Sequence, residues 1–204
     1  MTALCALGSP QAFGAPISIG PRTDNFIAFD EDTVRGVGQS FTIASTTAVQ
    51  SFSFEAQSTA DTVDYRAYIY GWNSTTNENT STQFFAQGST QSITSNTYTP
   101  LVVETPGLEL MPGEYIALLY TTDTAGTGQA FLGAVNNDTY TEGEGFFTTQ
   151  VRDPETPASF DPSWSSLTGI SLEDFVFELV VPEPASAVLL AGAVLALASR
   201  RRRI

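Results

Sequence analysis

The chain has 204 residues and a formal net charge of −14, with 22 acidic residues against eight basic ones and no histidine. Its single cysteine, Cys5, leaves no partner for a disulfide within the chain. Composition therefore excludes Ser-His-Asp and Cys-His catalysis, zinc sites of His or Cys type, and covalent staples within the fold.

The charge is unevenly spread. All the acidic residues lie between Asp24 and Glu183, whereas Arg200, Arg201, Arg202 and Arg203 sit together at the end. Without that terminal cluster, four basic residues face 22 acidic ones, a net charge of −18. Such a surface repels phosphate backbones, so nucleic acid is not an expected partner. A length near 200 residues suits one domain with a core of its own.

In chain order, the opening MTALCALGSPQAFGAP reads as a truncated secretion signal over residues 1–14. Small apolar residues lead to an A-x-G site at Ala12-Phe13-Gly14, with cleavage before Ala15, but a positively charged start is missing. An ordinary disordered N-terminus is the competing reading. Cys5 lacks the flanking residues of a lipid-attachment site.

Residues 15–180 form the body. Strand-like runs are expected at Gly38–Ile43, Val49–Ala56, Asp64–Trp72, Thr82–Ala86, Tyr98–Thr105, Gly113–Tyr120, Gln129–Val135, Gly145–Gln150 and Leu172–Val181. The second alternates strictly, with Phe52, Phe54 and Ala56 on one face and Ser51, Ser53 and Glu55 on the other. The third is rich in strand-favouring aromatics. Asn73 to Thr82, NSTTNENTST, reads as an exposed hairpin loop. Many short strands, regular turns and no helical periodicity predict an all-β antiparallel sandwich, jelly-roll-like, followed by a short C-terminal hydrophobic helix.

The tail occupies residues 181–204. Pro182 and Pro184 remove two backbone donors and bias Val181 and Glu183 toward extended conformations, ending the last strand. Residues 185–199 carry no charge. A helix of that length spans about 22 Å, short of the ~30 Å hydrocarbon core, so it is marginal as a permanent anchor. The terminal arginines favour a cytoplasmic end and an external body. On physical grounds a plain membrane anchor and a processed signal are equally good readings.

Val181, the Pro182-Glu183-Pro184 motif, the apolar run 185–199 and the basic stop Arg200 to Arg203 together resemble the PEP-CTERM sorting signal of Gram-negative bacteria. The resemblance implies that an exosortase, a membrane-embedded cysteine protease-transpeptidase, recognises the tail and cuts near the motif. The product is expected at the cell surface or outside the cell, in organisms that make exopolysaccharide. The body is more diffusely similar to sandwich ectodomains that precede such tails. The shared motifs are Gly38-Gln-Ser-Phe-Thr42, Tyr68 to Trp72, Leu110-Met-Pro-Gly-Glu-Tyr115, Trp164 and Asp174-Phe-Val-Phe177.

For the body, the expected role is a non-catalytic matrix or surface component that associates with exopolysaccharide. Tyr68, Tyr70 and Trp72 share one face of a strand and can stack on sugar rings or pack into the core. The alternatives are a simply membrane-anchored sandwich and a carboxylate enzyme acting on glycans, with pairs such as Glu142 and Glu144 or Asp61 and Asp64. No cofactor is expected. Calcium at an acidic loop, Asp61 with Asp64 or residues 136–138, suits the hard oxygen donors.

Overall fold

A computed structural model describes residues 16–23, 25–30, 33–59, 62–121, 128–136, 140–150, 164–170 and 172–182. The expected signal remnant at 1–14, Glu183, Pro184, the helix at 185–199 and Arg200 to Arg203 lie outside those residues.

The described chain is all-β. Its strands are β1 (Ile17–Ile19), β2 (Asn25–Phe29), β3 (Gly36–Ile43), β4 (Thr47–Ser58), β5 (Val63–Asn73), β6 (Glu78–Ala86) and β7 (Gln91–Ile93). They continue with β8 (Thr99–Leu110), β9 (Gly113–Thr121), β10 (Ala130–Val135), β11 (Gly145–Thr148), β12 (Ser165–Ser166), β13 (Asp174–Phe175) and β14 (Phe177–Val180). A 3-10 turn at Leu167–Ile170 is the one helical element among the described residues.

Two antiparallel sheets face each other. In the first sheet β4 is the spine. β8 runs along one edge of it, and β14 and β10 follow one another along the other. β1 flanks β14, β2 flanks β10, and β13 pairs with the end of β10. The second sheet has the order β12-β11-β3-β9-β5-β6, with β7 beside the start of β5. From β3 to β5 and from β8 to β11 each successive strand crosses to the opposite sheet.

Alternation decides what each strand buries. On β4, Phe52, Phe54 and Ala56 enter the space between the sheets and are almost wholly buried. Phe177 of β14 meets both of those rings, at 6.4 and 5.2 Å between centroids, and stacks at 6.0 Å on Phe41 from the opposite sheet. Each such ring contributes roughly 1.5–3 kcal/mol by leaving water. β8 has an unpaired outer edge among the described residues. Pro100 and Pro106 remove donors from this strand, which limits edge-to-edge association.

The centre of the second sheet is buried on both faces. Ala67, Ile69, Ala117 and Leu119 face the main core. Tyr68, Tyr70, Trp72, Ile116, Leu118 and Tyr120 alternate with them and join Phe146 and Trp164 in a second apolar cluster on the outer side. Trp164 Nε1 donates to Asn79 Oδ1 at 3.1 Å, and its ring meets Trp72 edge-on at 6.4 Å. Gly71 permits the close approach of β6, because a Cβ there would stand 2.5 Å from Thr80 Oγ1.

The expected loop at Asn73 to Thr82 is largely strand. The turn is confined to residues 74–77, where Asn73 Oδ1 accepts from the Thr75 and Thr76 amides and Asn77 takes a φ of 54°. From Glu78 onward the polar residues pair with β5, a pattern tolerated because one face of this edge strand meets solvent.

At the β8–β9 turn, the Tyr115 hydroxyl donates to the Met111 carbonyl at 2.7 Å, closing the Leu110-Met-Pro-Gly-Glu-Tyr115 corner. Tyr115→Phe is expected to lower the unfolding free energy by about 1 kcal/mol, measured in urea, because one net hydrogen bond is lost while the ring stays in place.

Candidate functional site

The tail begins directly after the last described strand. β14 is held on both sides, by Leu179 opposite Ile17 of β1 and by Val180 opposite Ser51 of β4. Val181 is still buried and Pro182 half-buried. Proline has no amide to donate, so pairing stops there. Because β1 is antiparallel to β14, the chain enters β1 and leaves β14 at the same pole of the sandwich.

The outer face of the first sheet carries a cleft of about 490 Å3 lined by both polar and apolar residues. Alternation on β4 aims Ser53 and Glu55 outward, opposite the buried phenylalanines, and β14 adds Glu178. Arg22, from the β1–β2 connection, reaches across the sheet. Its Nε lies 3.7 Å from Glu55 Oε2 and its guanidinium lies 4.0 Å above the Tyr98 ring. Gly133 makes room for this, since a Cβ there would stand 2.8 Å from Arg22 Cδ.

Arg22 and Glu55 side chains are 28% and 27% exposed. An ion pair so open to water contributes at most about 1 kcal/mol. It therefore does more to fix two polar groups in place than to stabilise the fold. Burial pushes the Tyr98 phenol above its ordinary pKa, Arg22 pulls it down and Glu55 pushes it up, so the group is a neutral hydroxyl at physiological pH. Beside the cleft, Phe26 is 50% exposed and packs against Phe131 at 4.5 Å between ring centroids.

The junction geometry meets an independent match. Residues 180–203 fit the family model of the PEP-CTERM protein-sorting motif. The chain carries a PEP-CTERM sorting motif. That motif marks it for exosortase processing, export, and a place at the cell surface or outside the cell. The PEP-CTERM match begins at Val180, inside β14, so signal and fold overlap rather than being separated by a spacer. No curated protein matches the sequence. Among solved structures, the chain is similar to the crystal structure of the cysteine protease and lectin-like domains of Cwp84, a surface layer associated protein of Clostridium difficile. Identity there is 12%, with a TM-score of 0.45, over 79% of this chain and 37% of that one.

Of the residues read from the sequence, Val181 and Pro182 lie at the junction just described. Tyr68, Tyr70 and Trp72 are 1%, 0% and 6% exposed, so they form no open platform for sugar rings. Nor do they face the space between the sheets; they belong to the second cluster. Glu142 and Glu144 line a separate cleft of about 460 Å3 with Glu114 and Trp72. Two of these acids already hold structure: Glu114 accepts from Ser74 N and Oγ, and Glu144 from the Ser166 hydroxyl. Asp64 accepts from Ser92 Oγ at 2.5 Å, tying β5 to β7. Among the described residues no three Asp, Glu, His or Cys side chains converge on one point. Asp61 and residues 137–138 lie outside the described residues.

The sequence placed Glu55 on the polar face of β4 but did not single out Glu55, Arg22, Phe26 or Phe131 as site residues. Phe26 and Phe131 each sit in a short apolar run whose hydrophobicity alone does not mark a solvent-facing ring. Only the pairing of Phe26 opposite Gly133 and Phe131 opposite Ala28 brings them together.

Proposed function

We propose that the chain is an exported, non-catalytic surface or matrix protein whose sandwich associates with exopolysaccharide. An exosortase cuts near Pro182-Glu183-Pro184, the apolar segment 185–199 holds the chain in the membrane until then, and the terminal arginines stop its transfer. The wiring that carries most strands across to the opposite sheet suits a jelly-roll-like scaffold. No cofactor is needed for this role, and any bound calcium would be structural.

The observation that carries the reading is the abutment of the sorting motif on β14. Every paired strand among the described residues lies before Val181, so a cut at the motif leaves those strands together. Chain entry and exit share a pole, so a signal before β1 and a tail after β14 reach one membrane without threading around the body.

Mass spectrometry of the protein recovered from its native host tests this directly. The expected C-terminus lies at or near residues 182–184, and any added mass there identifies the attachment. An intact end at Ile204 in the membrane fraction would make the tail a plain anchor.

A further inference from the structure

We infer that the outer face of the β8-β4-β14/β10 sheet is a saccharide-binding site, and that its ligand is a neutral polysaccharide. The inference rests on the exopolysaccharide reading above and gives it a location. Three kinds of group meet on one face. Phe26, half exposed and braced by Phe131, offers a ring face for the C–H side of a pyranose. Arg22 and Glu55 offer a planar donor and a planar acceptor, held 3.7 Å apart, to the hydroxyls on the sugar's edge. Ser53 and Glu178 extend that polar row across β4 and β14. From β2 to β8 the face spans three interstrand steps, roughly 14 Å, so it suits a stretch of chain rather than one sugar.

Charge selects among polymers. Arg22 is the one basic residue lining the cleft, against Glu55 and Glu178, and the whole chain is strongly acidic. A polymer bearing carboxylates or sulfates is repelled, whereas hydroxyl groups satisfy both Arg22 and Glu55. The exposed aromatic on the opposite sheet, Phe84, packs edge-on against Tyr115, away from the Arg22–Glu55 pair. It serves as an internal control.

The test is affinity electrophoresis of the full chain in mild detergent, through gels containing hydroxyethylcellulose, dextran, galactomannan or alginate. Retardation by at least one neutral polymer and none by alginate is expected. Phe26→Ala and Arg22→Gln should each weaken that retardation roughly tenfold, as loss of one stacking or charge-assisted contact implies, while Phe84→Ala leaves it unchanged. Circular dichroism checks each fold, and Glu55→Gln replaces any variant whose spectrum changes. Absence of binding to every neutral polymer, or retention by alginate alone, overturns the inference. So does binding that survives both substitutions, although the broader glycan reading then stands and only the site is wrong. The mass of the C-terminus is independent of all these outcomes and continues to judge the sorting reading separately.

Discussion

Phe177→Ala is expected to lower the unfolding free energy by about 3–5 kcal/mol, a large share of the total for a single domain. Phe177 is 1% exposed, and its ring touches Phe52 and Phe54 within its own sheet and Phe41 across the core. Truncation leaves a cavity walled by three rings that are each fixed by their own strands, so collapse around the gap is limited. Position matters as much as size. β14 is the last strand among the described residues, it joins β1 to β4, and it runs straight into the sorting motif. Loosening it detaches β1 and exposes backbone directly before the sorting motif. Urea unfolding followed by tryptophan fluorescence gives the loss of stability. In the native host, the same substitution should reduce the amount of protein at the cell surface, because the unfolded fraction is open to proteolysis. A change in midpoint below that of Tyr115→Phe would show that the core does not close on this ring.

The strands that the sequence displays clearly are those with one apolar face and one polar face. β4 is the best case, and its alternation correctly separates Phe52, Phe54 and Ala56 from Ser51, Ser53 and Glu55. On β5 alternation is not enough. Its period of two is plain, yet both faces are buried, so alternation cannot say that Ala67 and Ile69 meet the main core while the larger Tyr68 and Tyr70 turn away from it. β1, β7 and β12 are two or three residues long, too short to carry a period. β6 begins inside a run of Asn, Thr and Ser that composition assigns to a loop. The sorting motif was legible because its three parts follow one another in the chain. The cleft was not, because Arg22, Glu55 and Tyr98 come from three separate segments that only strand pairing brings together.

Two of the motifs singled out in the sequence, Gly38-Gln-Ser-Phe-Thr42 and Asp174-Phe-Val-Phe177, meet inside the sandwich, and their contact defines the second large effect. Gln39, from Gly38-Gln-Ser-Phe-Thr42, is fully buried on the inner side of β3. Its Nε2 donates to Asp174 Oδ1 at 2.8 Å, and its Oε1 accepts from the Phe175 amide at 3.0 Å. Asp174 is 1% exposed and opens Asp174-Phe-Val-Phe177, so one carboxamide clasps both the side chain and the backbone of β13 across the core. Gln39→Glu keeps the shape and replaces the donor with an acceptor facing a carboxylate. A loss of about 3 kcal/mol or more follows, since a buried polar pair is turned into a repulsive one. Gln39→Ala removes both contacts and a side chain's volume, and should fall in the same range. Asp174→Asn retains the Oδ1 acceptor, and a loss of about 1 kcal/mol or less is expected if Gln39 is the partner that matters. The ordering of the three variants by urea midpoint is the discriminating result. Equal losses for Asp174→Asn and Gln39→Glu would mean that the carboxylate charge itself, rather than its acceptance from Gln39, holds β13 against the opposite sheet.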